Sequence, residues 1–484
     1  MAAQDGVKRV TLEEVFSPRA VAVVGASAPS LTGSFSFGGL VVMGLKGAGF
    51  PAIYPVNPKY TEILDLPCYP NLLSIPGPVD HVVVNIPAEA CLDLLDECAA
   101  KGVRSVHFFT AGFGESGYED RADLERTMLE KARAGNFRII GPNCVGIYVP
   151  KNHVVNSPNT PLDSGPVAFI SQSGGHAQNF PVFSASRGLR FSKVVSYGNA
   201  LDVDECELFD YLADDPDTEI IAAYIEGIRD GRRFIDSMGR AARRKPVVVY
   251  KGGKTEAGKR AAFGHTASMT SSIAVFEAAC RQVNAIQVDN IEEMIDTVAA
   301  LRFVKPLPAG AGVAIVGAGG GPSVLASDDL ETEGLKVPRL SRELQEELKR
   351  HLPIAGSIFT NPIDTPNMID PKSISVALRT VGRSPDIHAI VYHLGFHPIG
   401  SWGLGRFSSP AFLGPAIAAI QGAQQEIGKP VLMALRPALD LEGMKEFLET
   451  QKALVEAGLP VFHSLRDLAR AVHRIIVWKG RARG

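Results

Sequence analysis

The sequence predicts an α/β protein of three doubly wound units, and three observations carry that expectation. The first is length: 484 residues exceed what one core organises, and ordinary domain sizes divide such a chain into about three. The second is a recurring start. Val21-Ala22-Val23-Val24 runs into Gly25-Ala26-Ser27, Val167-Ala168-Phe169-Ile170 into Ser171-Gln172-Ser173-Gly174-Gly175, and Val313-Ala314-Ile315-Val316 into Gly317-Ala318-Gly319-Gly320-Gly321. These starts lie about 145 residues apart, and each reads as a buried parallel strand entering a turn before a helix. The third is alternation of short apolar runs with helical periodicity, which favours a mostly parallel sheet covered on both faces.

In the first unit, further strands are predicted at Ala52 to Val56, His81 to Ile86, Val103 to Thr110 and Arg138 to Ile140. Leu92, Leu95 and Ala99, then Leu124, Met128 and Ala132, recur at helical spacing between them. The second unit continues with strands at Lys193 to Ser196, Ile220 to Ile225 and Pro246 to Tyr250, and a helix from Ser272 to Arg281. Lys305-Pro306-Leu307-Pro308-Ala309-Gly310 reads as a linker into the third. That unit has strands near Ile387 to Leu394 and Val431 to Leu435, a loop from Gly395 to Pro415, and a closing helix from Leu465. The expected domains are residues 1–150, 151–304 and 305–484.

Composition narrows the function. A net charge of −3, from 49 basic and 52 acidic residues, gives no excess of positive charge for nucleic acid or an anionic membrane. The cysteines Cys68, Cys91, Cys98, Cys144, Cys206 and Cys280 lack CxxC spacing, which argues against a disulfide framework or a zinc knuckle. With no signal peptide at the N-terminus and no long apolar segment, a cytoplasmic protein is expected.

Four stretches carry candidate chemistry. Ser171 to Gly174 places hydroxyls and glycine at a helix start, which suits either a capped helix or an anion at its unpaired N–H groups. A nucleophile elbow would need glycine where Ser171 stands. Gly317 to Gly321 holds the first two glycines of G-x-G-x-x-G, but Pro322 takes the third position, so a dinucleotide fingerprint is absent. Glu226 ends an apolar strand, where a carboxylate can be a solvated strand end or can hold a histidine in one tautomer. Lys251 to Ser268 is a glycine-rich cationic loop around His265, suited to a solvated connection or to a histidine that meets phosphate. His393 and His397 have metal-pair spacing, but Gly395 and Pro398 oppose a helix, so no metal site is expected.

Taken together, Tyr224-Ile225-Glu226-Gly227, Lys251-Gly252-Gly253-Lys254-Thr255-Glu256-Ala257-Gly258, His265-Thr266 and the Ser-Gln-Ser-Gly turn resemble the alpha subunit of the ADP-forming acyl-CoA synthetases, relatives of succinyl-CoA synthetase. Tyr54-Pro55-Val56-Asn57-Pro58-Lys59, Thr110-Ala111-Gly112-Phe113, Gly141-Pro142-Asn143-Cys144, Gly198-Asn199, Asp202-Val203-Asp204 and Asn361-Pro362-Ile363-Asp364 extend the resemblance along nearly the whole chain. It implies a Rossmann-like CoA-binding domain followed by two flavodoxin-like ligase domains.

It also implies roles. His265 is the transient phosphohistidine and Glu226 its orienting partner. Val24, Gly25, Ala26, Ser27, Lys59, Phe109, Thr110, Ala111 and Asn143 hold coenzyme A. Ser171, Gln172, Ser173 and Gly174, with Gly319, Gly320 and Gly321, bind phosphate. Gln178 and Asn179 lie near the acyl group, where the family has small apolar residues, and the family's Gly-Ser after His-Thr is replaced by Ala267-Ser268. The small carboxylic acid itself is not specified. The implied partner is an ATP-grasp beta subunit carrying ADP or ATP with Mg²⁺, in a hetero-oligomer, with a homo-oligomer as the other assembly. Two other functions stay open: a CoA-binding sensor or scaffold without turnover, and an acyltransferase or thioesterase using Cys144.

Overall fold

The structure is a computed structural model and describes residues 8–28, 36–258, 260, 272–317, 319–366, 368, 370–395, 410–438 and 440–482. Three main sheets form, in two compact units: Met1–Ala185 with Arg190–Asp289, and Ser186–Leu189 with Asn290–Gly484.

The first unit holds two sheets. Strands β1 (Val21–Val24), β2 (Ile53–Val56), β3 (His81–Val84), β4 (Ser105–Phe108) and β5 (Arg138–Ile140) make an all-parallel sheet in the order β2-β1-β3-β4-β5. Alternate residues serve opposite faces. Val21 and Val23 join the cluster of helix α2 (Phe37–Gly47), whereas Ala22 and Val24 join that of α3 (Cys91–Lys101) and α4 (Glu119–Ala134). This is the doubly wound arrangement that the alternating pattern predicts. Cys91 and Cys98 are core residues of α3.

Strands β6 (Ile147–Tyr148), β7 (Ser164–Ser171), β8 (Phe191–Ser196), β9 (Ile220–Ile225), β10 (Val247–Lys251) and β11 (Ile286–Val288) make the second sheet, in the order β11-β10-β9-β7-β8-β6. Only β6 on its edge is antiparallel. One apolar cluster runs from Val23 and Ile140 through Ile170 and Val195 to Ile221, so these two sheets share a continuous core. A buried ion network reinforces it: Arg138 on β5 donates to Asp202 at 2.8 Å and to both oxygens of Glu207, at 2.8 and 2.7 Å.

The second unit has β12 (Val313–Gly317), β13 (Ile358–Phe359), β14 (Ile363–Asp364), β15 (Ala389–Gly395), β16 (Val431–Arg436) and β17 (Val461–Phe462), ordered β13-β14-β12-β15-β16-β17. The expected loop from Gly395 to Pro415 needs correction, because a helix starts at Pro410 and runs to Ile427. Proline is tolerated in a first helical turn, and Pro415 lies inside the helix, so its presence misdirects a breaker rule. Residues 396–409, including His397, lie outside the described residues. His393 is on a strand and not on a helix.

Candidate functional site

Beyond β7 the chain turns into α5 (Gly174–Ala185). Ser173 caps it: its carbonyl accepts the Ala177 N–H at 3.1 Å, and its Oγ accepts the His176 N–H at 3.4 Å. Ser171 Oγ donates to the Ser173 carbonyl at 2.8 Å, which fixes the turn. Gly174 and Gly175 then present first-turn N–H groups, which have no acceptor inside a helix. Both line a cavity of about 650 Å³.

The rest of that cavity comes from the carboxyl ends of β3, β4 and β5, where open parallel sheets hold ligands. Asn85, Ile86 and Pro87 follow β3; Phe109, Thr110 and Ala111 follow β4; Asn143, Cys144 and Val145 follow β5; Gln178 completes it from α5. The loops are fixed by their own bonds. Thr110 Oγ1 donates to the Ile86 carbonyl at 2.7 Å, the Asn143 N–H donates to the Thr110 carbonyl at 3.0 Å, and Phe109 stacks on Phe37 with centroids 3.7 Å apart.

Of the expected CoA residues, Phe109, Thr110, Ala111 and Asn143 line the cavity, and Val24, Gly25, Ala26, Ser27 and Lys59 do not. Gly25 instead braces it. At φ 83° a Cβ there would lie 2.1 Å from the Asn85 carbonyl oxygen, so only glycine permits the approach. Asn57 Nδ2 donates to the Ala26 carbonyl at 2.8 Å, and Lys59 is exposed. Among the expected phosphate and acyl residues, Gly174 and Gln178 line the cavity, Ser171 and Gln172 are buried, and Asn179 is exposed.

Gln172 is anchored to the end of β9. Its Oε1 accepts the backbone N–H groups of Glu226 and of Gly227, the latter at 2.9 Å, so it binds the turn after β7 to the end of β9. Glu226 is buried there, 5% exposed, with the Tyr224 hydroxyl beside its carboxylate. Burial and this carboxylate push the Tyr224 phenol upward, so it stays a donor. A Cβ at Gly252 would meet Tyr224 Oη at 2.5 Å, which leaves glycine as the residue that fits. His176 packs edge-on against Tyr224 with centroids 4.5 Å apart. Lys251 Nζ is buried and donates to the carbonyls of Glu226 and, at 2.7 Å, of Gly252. The loop that leaves β10 beyond these residues carries His265, Ala267 and Ser268, all outside the described residues.

In the second unit, Gly319 at φ 108° caps a helix, Gly320–Thr332. Gly319 to Gly321 are exposed, and the Gly319 N–H donates to Asp364 Oδ1 at 2.6 Å, so one donor of this glycine turn already serves a buried carboxylate. His393 lies against Gly317, where a Cβ would be 2.2 Å from its Nε2. Burial, with the Arg436 charge adding to it, pushes His393 down to about 4, so it is neutral near pH 7.

Among the described residues no group of three or more His, Cys, Asp or Glu side chains is placed to hold a metal ion, and no helix is long and apolar enough to cross a membrane. Sequence reasoning missed Asn85, Ile86, Pro87, Val145 and Tyr224. The predicted strand from His81 to Ile86 absorbed Asn85 and Ile86, whereas the ladder stops at Val84.

Three family models match the chain in this order: a CoA binding domain over residues 19–150, a succinyl-CoA ligase like flavodoxin domain over 164–301, and a ligase-CoA domain over 312–470. Acetate–CoA ligase [ADP-forming] II subunit alpha of Pyrococcus furiosus is 34% identical over 471 residues, covering 96% of this chain and 97% of that protein. Acetate–CoA ligase [ADP-forming] I of Archaeoglobus fulgidus is 36% identical over 382 residues, covering 78% of this chain and 54% of that longer protein. Among solved structures, the dinucleotide forming acetyl-coenzyme A synthetase 1 of Ca. Korarchaeum cryptofilum, in complex with phosphate and ADP, is 30% identical with a TM-score of 0.80, covering 98% of this chain and 97% of that one. With the loops after three strands and a helix start lining one cavity, and with the Pyrococcus relative spanning nearly its full length, the chain belongs to the ADP-forming acyl-CoA synthetases, as an alpha-subunit type of the succinyl-CoA synthetase superfamily.

Proposed function

We propose that the chain reversibly converts an acyl-CoA, phosphate and ADP into a carboxylic acid, CoA and ATP, through an acyl phosphate and a phosphohistidine at His265. A phosphate oxygen attacks the thioester carbonyl carbon, and the CoA thiolate leaves. His265 then attacks phosphorus, and the carboxylate leaves. An oxygen of the ADP β-phosphate finally takes the phosphoryl group from the histidine. Gly174 and Gly175 N–H groups stabilise charge on the phosphoryl oxygens from a helix start. Glu226, beside Tyr224 and held by its own backbone bond to Gln172, fixes the tautomer of His265.

The observation that carries this reading is the shared cavity, which puts the α5 donors and the carboxyl ends of β3 to β5 around one space. Gly319, Gly320 and Gly321 of the second unit are assigned to phosphate binding, and Asn179 to the acyl side with Gln178. We assign 1–150, 151–304 and 305–484 as the three domains. Nucleotide and Mg²⁺ are assigned to an ATP-grasp partner subunit, a reading supported by the alpha-subunit name of the Pyrococcus relative and by the extra length of the Archaeoglobus one. Cys144 does not favour a thioesterase: burial pushes its thiol up to about 12, leaving almost no thiolate at neutral pH.

The test is incubation of the chain and its ATP-grasp partner with γ-labelled ATP and Mg²⁺. Acid-labile, base-stable label on wild type that is absent from His265→Ala is expected, together with phosphate-dependent CoA release across an acyl-CoA panel. A wild-type complex that takes no label and releases no CoA overturns the reading.

A further inference from the structure

Gly198-Asn199 has no part in the reaction scheme above, yet it packs against the cavity. A Cβ on Gly198 would lie 2.2 Å from the Pro142 carbonyl oxygen and 2.5 Å from that of Asn143. The Asn199 N–H donates to the Pro142 carbonyl at 3.0 Å, and the Leu201 N–H to that of Gly141 at 3.0 Å. The Asn199 side chain is buried, and its Nδ2 donates to Glu115 Oε2 at 2.6 Å and to Glu125 Oε1 at 3.0 Å. Glu115 in turn accepts the N–H groups of Gly112 at 2.5 Å and Phe113 at 3.1 Å, directly after Ala111. On the other side Arg229 donates to the Asn199 carbonyl at 2.6 Å and the Ala200 carbonyl at 2.8 Å.

Asn199 therefore ties the loop that carries Thr110 and Ala111, through its side-chain amide on Glu115, to the loop that carries Asn143, through its backbone N–H on Pro142, and both loops line the cavity. Its Oδ1 is buried with no hydrogen-bond partner among the described residues, a cost that stability alone does not explain. We propose that Asn199 is a positioning residue for the cavity, holding the Thr110–Ala111 and Asn143 walls in register through Glu115 and Glu125. This inference rests on the cavity being the CoA site.

Glu125 makes the clamp sensitive to protons. Burial raises its pKa, Glu115 adds to the rise, and Asn199, Gly114 and Arg229 only oppose it. The Asn199 amide donates to Glu125, so the clamp is complete with the carboxylate ionised, above the raised value, and loosens on protonation. CoA affinity should fall as pH is lowered through that raised value.

Titration calorimetry of CoA into the full chain tests the proposal. Asn199→Ala should weaken CoA binding about tenfold with unchanged circular dichroism, as expected when a group that supports binding loops is removed. Glu125→Gln, a neutral acceptor at every pH, should bind at all pH as acidified wild type does and lack the rise in affinity at higher pH. Folded Asn199→Ala that binds as wild type, or Glu125→Gln that keeps the wild-type pH profile, overturns the proposal. If Asn199→Ala does not fold, the Glu125→Gln profile decides. Ala111→Trp is the control: should it leave CoA binding intact, the CoA site lies elsewhere and the clamp falls with it, whereas loss of binding there with no effect at Asn199 refutes the clamp alone.

Discussion

Acidification from pH 7 to pH 5 should loosen the first sheet through two buried histidines. His81 on β3 and His107 on β4 stack with ring centroids 6.3 Å apart, and each has a neutral partner: Ser105 Oγ at 2.7 Å from His81 Nδ1, and the Cys144 carbonyl at 3.0 Å from His107 Nε2. The void beside them is about 10 Å³, room for at most one water, so an imidazolium there would be poorly solvated. Desolvation, with His107 adding repulsion, pushes His81 from 6.5 down to about 3, and desolvation pushes His107 down to about 4. The folded values are depressed, so the unfolded chain takes up protons that the fold refuses. Stability is complete above pH 6.5 and is lost as pH falls below it. At pH 5, with the unfolded rings almost fully charged and the folded rings almost fully neutral, the loss is about 2 kcal/mol per ring and about 4 for the pair. Both tryptophans, Trp402 and Trp478, lie late in the sequence, so fluorescence is a poor reporter of this sheet. Hydrogen exchange of peptides spanning β3 and β4 is the better assay. Their opening free energy should drop by about 4 kcal/mol between pH 7 and pH 5, and His107→Gln should remove about half of that drop. A drop below about 1 kcal/mol in wild type, or the full drop in His107→Gln, would refute the reasoning.

Two further outcomes follow from close contacts. Gly252→Ala puts a methyl 2.5 Å from Tyr224 Oη, so it should displace the hydroxyl from Glu226. Rapid-quench measurement should show phosphoryl transfer to His265 slowed about 10- to 100-fold with CoA affinity retained, and Tyr224→Phe should move the rate the same way. Arg138→Met leaves Asp202 and Glu207 without their buried cation, and should cost about 3–5 kcal/mol, read as a lowered unfolding midpoint of the first unit.

Much of the architecture was legible because the signal was local. Apolar runs ending in Gly25, Ser171 or Gly317 mark strand ends whatever surrounds them, and parallel strands buried on both faces leave that pattern undiluted. The cavity was half legible. Thr110, Ala111, Asn143, Gly174 and Gln178 sit in recognisable motifs, but Asn85 and Pro87 carry no motif and become lining only because β3 stops at Val84. Gln172 sits in the expected phosphate turn, and that its oxygen reaches the end of β9 depends on β7 lying beside β9, a non-local fact of strand order. Glu115 and Glu125 are two surface-like acids on a charged segment until Asn199, 74 residues away from Glu125, arrives between them.

The burial of Cys144 has a consequence for the company the protein keeps. Coenzyme A is itself a thiol, and its oxidised forms exchange with any accessible thiolate to leave a mixed disulfide. Cys144 lines the cavity through its residue but is only 3% exposed, and its sulfur contacts the Phe108 carbonyl at 3.7 Å. Cys91, Cys98, Cys206 and Cys280 are buried as well, and Cys68 alone is part-exposed. On the proposed reading, a cavity that takes coenzyme A keeps its own sulfur out of the exchange, and oxidised coenzyme A should leave the site chemically unmarked.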